Sequence, residues 1–195
     1  FLLFGPPSLN NFNPYSKNYF ISDWSHFSDL NSIPTDSILV NLRYNELESF
    51  DMALESLTNL NLIGNNLRYM MPLTKLPKLE FLNISYNLLE HLPTFSSTIV
   101  NIDASFNQIV DIDPSIKDAD KLSIFNVSNN KIKEVPCLPN HIKRLFLNNN
   151  QIEKLDSMPK TENLIEFKID GNKLTNFPNA IQNKFSDNLT SLQKP

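Results

Sequence analysis

The sequence predicts a solenoid of short parallel strands, because one spaced pattern returns along most of the chain. The pattern L-x-x-L-x-L-x-x-N-x-L occurs seven times, and its asparagines are Asn45, Asn65, Asn87, Asn107, Asn130, Asn150 and Asn172. Successive asparagines lie 20, 22, 20, 23, 20 and 22 residues apart. Repeats of this length are single structural units that stack on their neighbours around one core. We number the turns 1 to 7 by these asparagines, and we number the places of the pattern from its first leucine.

The apolar places of each copy define a short strand. In turn 2, Leu57, Leu60 and Leu62 precede Asn65. Side chains alternate in an extended chain, so places 4 and 6 face the core while places 3 and 5 face the opposite side of the sheet. One copy cannot bury its apolar face alone, but copies stacked about 4.8 Å apart share a continuous core. The asparagine amide carries donors and an acceptor, so the seven asparagines are expected to form a buried ladder where the chain turns away from the strands.

The segments that return the chain to the next strand are too short for a full α-helix. Residues 134–140 contain Pro136 and Pro139, and prolines favour an extended or polyproline-like return. The longer return over 113–120 has room for a single 3₁₀ turn. The sequence therefore predicts modest strand content and little helix.

The pattern resembles the leucine-rich repeat, and the resemblance covers residues 37–176. It implies a curved leucine-rich repeat solenoid, with short parallel β-strands on the concave face and extended or 3₁₀ returns on the convex face. Prolines that follow the second apolar anchor, as in Leu92-Pro93, Val135-Pro136 and Phe177-Pro178, resemble bacterial secreted effectors of the YopM and IpaH type. The amino-terminal flank is similar to the short helical cap of those proteins, and its aromatic residues are Tyr15, Tyr19, Phe20, Trp24 and Phe27.

This resemblance implies a microbial, effector-like protein that binds a partner protein, such as a host protein, on its concave face. Two alternatives stay open. The first alternative is that the chain is the substrate-recognition part of a larger enzyme, such as an IpaH-type E3 ubiquitin ligase whose catalytic cysteine lies in a separate domain. The second alternative is an internalin-like surface adhesin. Residues 107–113, with Ile109 and Ile112 beside acidic residues, resemble the sequence of such adhesins.

We expect three segments in the chain. Residues 1–36 form the amino-terminal cap, residues 37–176 hold about seven repeats, and residues 177–195 form the carboxy-terminal flank. Phe20 and Trp24 lie four residues apart and would share one face of a helix in the cap.

The carboxy-terminal flank combines a helix start with a trace of the repeat. Pro178 is expected to begin a short helix through Ala180, Ile181 and Phe185. Leu189 and Leu192 then repeat the first two leucines of the pattern. This spacing indicates that a further turn begins here.

Composition limits the compartment in which the protein is expected to act. The chain has 195 residues, a net charge of −4 and one cysteine, so flanking disulfides of the extracellular kind do not form within it. No run approaches the roughly 18 to 20 apolar residues of a membrane span, and the apolar Phe1 to Phe4 is too short for a signal peptide. We expect a cytoplasmic protein, or one that a microbe secretes into a host cell.

No arrangement typical of an enzyme, a cofactor site or a metal site is found. The histidines His26, His91 and His141 are far apart along a solenoid axis, and no ligand spacing joins them. Cys137 lies in a Pro-Cys-Leu-Pro return without an adjacent histidine or acid, so it is expected to be a small packing residue. The glycosylation motifs at Asn83, Asn126 and Asn188 are interpreted as chance matches in an asparagine-rich chain. The sequence therefore predicts a protein that is not an enzyme.

Recognition remains, and the repeat register predicts which side chains are available for it. Places 3, 5 and 7 point onto the concave face, and place 8 lies at the rim where the strand ends. Aromatic and cationic residues set among amides are typical of interface anchors. The predicted partner-binding residues are Tyr44, Phe81, Tyr86, Phe106, Ile124, Arg144, Phe146 and Lys168. For Tyr86 and Phe106 the alternative is that each ring folds over the rim and covers the core.

Charge is uneven along the axis. Residues 1–120 hold 6 Lys or Arg and 14 Asp or Glu, a net −8, whereas residues 121–195 hold 11 and 7, a net +4. A solenoid separates these halves in space, so Lys143, Arg144 and Lys168 are expected to form a basic end of the concave face. The negative total and the lack of a dense basic stripe disfavour nucleic acid as the partner.

Overall fold

Eight short parallel strands stack into one sheet. The computed structural model describes residues 19–21, 26–27, 29–155, 158–159, 162–175, 179 and 184–185. In spatial order the strands of this sheet are β1 (Tyr19–Ile21), β2 (Leu39–Asn41), β4 (Asn59–Asn61), β6 (Phe81–Asn83), β7 (Asn101–Asp103), β8 (Ile124–Asn126), β9 (Arg144–Phe146) and β10 (Glu166–Lys168). Apart from β1, which precedes the repeats, each strand supplies places 3, 4 and 5 of its turn, so the predicted leucine-rich repeat solenoid is confirmed.

The strands pair in a register that keeps equivalent places side by side. Leu60 of β4, for example, pairs with Val40 of β2 and Leu82 of β6. The place 4 side chains of turns 1 to 7 are at most 2% exposed, and those of place 6 are at most 3% exposed. One continuous apolar core therefore runs the length of the stack, as the alternation predicts.

The convex side holds little regular structure. Two short strands, β3 (Ser49–Phe50) and β5 (Tyr69–Met70), pair there in parallel, and 3₁₀ turns span Leu30–Ser32, Leu73–Lys75 and Pro114–Asp118. The turn expected within 113–120 is confirmed: Asp113 caps it, with the Asp113 side chain accepting from the Ser115 N–H at 2.8 Å. Residues 134–139 contain neither helix nor strand, in agreement with their prolines.

The asparagine ladder is present and links each turn to the one before it. The Asn87 Nδ2 donates to the carbonyls of Leu62 at 2.9 Å and Ile84 at 3.1 Å, and its Oδ1 accepts from the Leu67 N–H at 2.9 Å. Leu62 and Leu67 belong to turn 2, whereas Ile84 belongs to turn 3. The same cross-turn contacts repeat at Asn65, Asn107, Asn130, Asn150 and Asn172.

The helical amino-terminal cap is not confirmed. Tyr19–Ile21 is the strand β1, and it pairs with β2, so Phe20 does not lie on a helix. Phe27 packs on Phe20 with ring centroids 5.3 Å apart, and the Phe27 N–H donates to Asn45 Oδ1 at 2.9 Å. An extended segment satisfies the backbone groups along the edge of β2, which a helix at that edge would leave without ladder partners. Tyr15 and Trp24 lie outside the described residues.

At the other end, the chain closes with residues in helical conformation. Asn179, Lys184 and Phe185 are helical, and the Phe185 ring packs 5.7 Å from that of Phe167. Phe177, Pro178, Ala180 and Ile181, with Asn188, Leu189 and Leu192, lie outside the described residues. Within the part of the chain that the structure describes, no helix has the length and apolar character needed to cross a bilayer.

Candidate protein-interaction surface

The concave face presents places 3 and 5 of each turn. At place 3, Phe81 and Ile124 are half-buried and Arg144 is exposed; at place 5, Lys168 is exposed. Phe81 lies between Asn59 and Asn101 on the neighbouring strands. The register thus distributes these predicted residues along the concave face and does not gather them into one cluster.

Most polar side chains at place 5 have a structural role that sequence reasoning missed. Asn83 Oδ1 accepts from both the N–H and the hydroxyl of Ser85, at 3.0 and 2.7 Å. Asp103 with Ser105, and Asn126 with Ser128, repeat this arrangement. The serines are 2 to 6% exposed, and the contact satisfies a backbone N–H just past the strand. A serine two residues after an asparagine or aspartate recurs at places 5 and 7, and this sequence pattern indicates the hydrogen bond between the two side chains.

This arrangement also explains two of the three glycosylation motifs. Asn83 and Asn126 are each 9% exposed, and their side chains hold the turns to Ser85 and Ser128. The motif arises because these two turns combine an asparagine at place 5 with a serine at place 7, and the two side chains hydrogen-bond. The interpretation as chance matches is therefore replaced by a structural reason.

Place 8 has left-handed backbone in every turn. The φ angles are 56° at Tyr44, 55° at Tyr86 and 55° at Phe106, and all seven members lie between 55° and 69°; the others are Gly64, Asn129, Asn149 and Gly171. Glycine and asparagine accept this conformation readily, whereas a bulky side chain does so at a cost. Two of the chain's three glycines stand at this place, which was a readable sign of the conformation.

Side chains at place 8 contact their neighbours along the rim. Tyr86 stacks on Phe106 with centroids 4.3 Å apart and planes 9° from parallel. The ring of Tyr44 lies over Gly64, so that a Cβ added to Gly64 would be 2.5 Å from Tyr44 Cδ1. Further along, Asn149 Nδ2 donates to Asn129 Oδ1 at 3.0 Å. The rim is therefore aromatic in turns 1, 3 and 4 and amide-lined in turns 5 and 6, with glycine in turns 2 and 7.

The rim aromatics do not fold over the core. Tyr44 is 39% exposed, Tyr86 is 52% exposed and Phe106 is 43% exposed. We call these three residues the aromatic rim. Their exposure supports their selection as candidate anchors and argues against the alternative of a core-covering role.

The contact between Tyr44 and Gly64 gives a testable prediction. Gly64→Ala is expected to lower the free energy of unfolding by about 1 to 2 kcal/mol, because a Cβ strains left-handed backbone and because the ring must move. Urea unfolding of the wild type, Gly64→Ala, Tyr44→Ala and the double variant measures the two parts. In the Tyr44→Ala background, Gly64→Ala should lower the free energy of unfolding only by the cost of straining the backbone. If the losses of the two single variants simply add in the double variant, the Tyr44 ring does not rest on Gly64.

Arg144 and Lys168, two residues of the predicted basic end, lie on either side of Glu166, and Phe146 differs from its expected role. Arg144 Nε lies 3.7 Å from Glu166 Oε2, and Lys168 Nζ lies 3.5 Å from Glu166 Oε1. Lys168 Nζ also lies 5.4 Å from the centre of the Phe146 ring. Phe146 is only 8% exposed, because neighbouring side chains such as Lys168 cover it. It faces the concave side, as its register requires, without being an open anchor.

Two of the described histidines pair with carboxylates one turn away. His26 Nδ1 pairs with Glu46 at 3.0 Å, and His91 Nδ1 pairs with Asp111 at 2.9 Å. Cys137 is exposed, so the expectation that it is a packing residue is wrong: Val135 and Leu138 fill the core on either side of it. Over the described residues, no three His, Cys, Asp or Glu side chains come together as metal ligands do.

The repeated strand, the in-phase register and the asparagine ladder define the chain as a leucine-rich repeat protein. Its structure resembles YopM from Yersinia enterocolitica WA-314, with a TM-score of 0.64 and 27% identity over 76% of this chain and 32% of that chain. It also resembles a Shigella effector LRR domain, with a TM-score of 0.68 and 24% identity over 91% and 77% of the two chains. An internalin C2 from Listeria monocytogenes has a TM-score of 0.65 and 19% identity over 76% and 68%.

The chain spans about a third of the length of the YopM chain that it matches. No protein-family model and no curated protein sequence matches it. The solved structures therefore establish the fold and a resemblance to bacterial effectors, and function has to be argued from this chain's own surface.

Proposed function

We propose that this chain is a non-enzymatic protein-interaction module, and that its partner protein binds across the concave face with the aromatic rim as its main anchor. One observation carries the proposal. Three bulky aromatic residues occupy left-handed backbone positions and remain 39 to 52% exposed. The fold imposes this backbone conformation at place 8 of every turn, but it does not require bulky, exposed aromatic side chains there.

The energetic argument compares equivalent places within the same chain. A side chain in left-handed backbone costs about 1 to 2 kcal/mol, so Tyr86 and Phe106 together cost about 2 to 4 kcal/mol. Their stacking recovers about 0.5 to 1.5 kcal/mol. The other turns use glycine or asparagine at this place, at Gly64, Asn129, Asn149 and Gly171. Strain that folding does not require is typical of functional sites.

The surroundings of the aromatic rim suit a protein surface. Interfaces combine aromatic anchors in their centre with polar groups that hydrogen-bond around them. Here the rim lies beside a concave face whose place 5 residues in turns 1 to 4 are Asn41, Asn61, Asn83 and Asp103. The hydrogen bonds of Asn83 and Asp103 to serines hold this face rigid, which lowers the entropy cost of binding.

The likeness to YopM and to the Shigella effector domain supports a microbial effector that acts on a host protein, either in the cytoplasm or after secretion by the microbe. The internalin likeness supports the adhesin as second candidate. The recognition part of an IpaH-type ligase is the third. The full open reading frame separates them: a downstream domain with a catalytic cysteine identifies the ligase, and a surface anchor identifies the adhesin.

The test replaces the rim aromatics with the residue that later turns use at the same place. The double variant Tyr86→Asn, Phe106→Asn is expected to keep its melting midpoint within about 4 °C of the wild type, because relieved strain offsets lost stacking. Binding of a partner captured by cross-linking with host lysate should weaken by about 2 kcal/mol or more, as at measured hot spots.

A matched control is available on the convex side. Tyr69 in β5 is 58% exposed, so Tyr69→Asn removes an exposed ring from another face. It should leave partner affinity unchanged. Undiminished binding by the rim double variant, or an equal loss from Tyr69→Asn, would sink the proposal that the rim is the anchor.

A further inference from the structure

We propose that Asp103 binds one arginine or lysine side chain of the partner protein, and that the partner segment around this cation is uncharged. The inference depends on the protein-interaction function above and adds the chemistry of the partner. Three observations support it. Asp103 is the only formal charge in the middle of the concave face, the turn that it closes does not need a carboxylate, and exposed aromatic rings lie beside it.

Asp103 is isolated from other charges. Turns 2 to 5 have twelve residues at the outward places 3, 5 and 7, and the eleven besides Asp103 are Asn, Ser, Phe or Ile. Arg43 in turn 1 is three strand spacings away, or roughly 14 Å, whereas salt screens exposed charges over about 8 Å at physiological ionic strength. Among the residues that the structure describes, none forms an ion pair with Asp103. The central concave face therefore carries one uncompensated negative charge.

The turn that Asp103 closes does not require this charge. Asp103 Oδ1 accepts from the N–H and the hydroxyl of Ser105, at 3.0 and 2.6 Å. Asn83 and Asn126, on the two neighbouring strands, accept the same two bonds from the serine at place 7 of their own turns. Asparagine therefore suffices at place 5. Aspartate adds only the second oxygen and its charge, and within the described part of the chain nothing donates to Asp103 Oδ2.

The two asparagines beside Asp103 define what the partner has to offer around the cation. Asn83 and Asn126 pair in register with Asp103, one on each side. Their Oδ1 atoms bind the serines, and over the described residues their Nδ2 groups have no acceptor. An amide Nδ2 only donates, and a carboxylate only accepts. The central row therefore reads donor, acceptor, donor, which matches a cation flanked by the carbonyl groups of uncharged residues.

Aromatic rings lie within reach of the same cation. Phe106 follows Ser105 in the chain, so that its Cα is about 10 Å from that of Asp103 in an extended strand. Phe106 is 43% exposed and stacks on Tyr86. Ring faces attract cations, and the methylene stem of a long cationic side chain covers apolar surface while its charged end reaches further. Arginine fits best, because its planar fork both stacks on rings and matches a carboxylate.

An isolated carboxylate also selects against other partners. A protein that covers Asp103 without supplying a cation leaves a buried, uncompensated charge, which is strongly unfavourable. A polynucleotide would bring phosphates against the same carboxylate. A strongly basic segment gains little, because the other eleven central places carry no charge that could receive further cations. The surface thus favours a segment with a single cation.

The test uses two nonapeptides, Ser-Gly-Ser-Gly-X-Gly-Ser-Gly-Ser, in which X is arginine or its uncharged isostere citrulline. Titrations at 50 mM NaCl are followed by the amide NMR signals of the ¹⁵N-labelled protein. The arginine peptide should shift the signals of Ser105 and Phe106, and its binding should weaken at 300 mM NaCl. The citrulline peptide should bind at least about threefold more weakly, the size expected of a partly exposed ion pair.

Asp103→Asn should reduce the affinity for the arginine peptide about threefold, to that of the citrulline peptide. Its melting midpoint should stay within about 4 °C of the wild type, because asparagine closes the same turn at Asn83 and Asn126. Asp170→Asn removes an exposed carboxylate from place 7 of turn 7 and should change nothing. Equal binding of the two peptides, an equal loss from Asp170→Asn, or a larger drop in the melting midpoint of Asp103→Asn would overturn the inference.

The captured partner separates this inference from the proposed function. Asp103→Asn should weaken that partner at least about tenfold, because the interface removes water from the ion pair. If Asp103→Asn binds the captured partner as the wild type does while Tyr86→Asn, Phe106→Asn loses it, the cation inference is wrong and the interaction function stands. Undiminished binding by both variants would overturn both.

Discussion

Asn87→Ala is expected to lower the free energy of unfolding by about 2 to 4 kcal/mol. Asn87 is 5% exposed, and its removal leaves the Leu67 N–H without its acceptor and takes one donor from each of three carbonyls, those of Leu62, Ile84 and Ser85. A buried N–H that loses its partner costs about 1 to 3 kcal/mol, and the three weakened carbonyls add to this. Chemical denaturation measures the change.

The matched control lies on the next strand of the sheet. Asn101 occupies place 3 on the concave face and is half-buried, so Asn101→Ala should change stability by less than about 0.5 kcal/mol. Asn87→Asp adds a second variant, because it keeps an acceptor but turns a carboxylate toward three carbonyls and should be at least as damaging as alanine. Equal losses from Asn87→Ala and Asn101→Ala would contradict the assigned register.

The features that sequence predicted correctly are those that repeat with the period. Leu60, Leu82 and Leu145 could be assigned to the core because alternation fixes the face once the phase of the strand is known. The asparagine ladder could be predicted because a buried turn must satisfy its backbone groups in every copy. These requirements are local to one turn, so the same residue types recur in all seven repeats and the pattern can be recognised from the sequence.

The features that sequence did not predict depend on contacts between particular turns. β1 lacks the repeat pattern, and only the open edge of β2 explains why Tyr19–Ile21 is extended. The stacking of Tyr86 on Phe106 needs adjacent aromatics and left-handed backbone at both. Phe146 is covered because Lys168 lies on the following strand. In each case the deciding neighbour is about one turn away and is not part of the repeat.

Two phenylalanines on neighbouring strands test where the core ends and the candidate interaction surface begins. Phe125 is inward at place 4 of β8, is 0% exposed and packs 6.1 Å from Phe95. Phe125→Ala is expected to cost about 3 to 5 kcal/mol, as buried phenylalanine truncations do, because the cavity that it leaves is closed. This is the largest single effect expected in the protein, and thermal and urea unfolding measure it.

Phe146→Ala should cost less, about 1 to 2 kcal/mol, although its side chain is only 8% exposed. Phe146 is outward at place 5 of β9 and belongs to no part of the continuous core. The space left by its ring therefore opens to solvent and fills with water. Only the free energy of burying the ring and the contact with Lys168 are lost.

The comparison of the two phenylalanine truncations bears on function as well as folding. If the two truncations cost the same, Phe146 is a structural residue, its place among the partner-binding candidates is lost, and the basic end consists of Arg144, Lys168 and Lys143 alone. If Phe146→Ala is the milder change and also weakens binding of the captured partner, the ring acts by holding Lys168 in position for the partner.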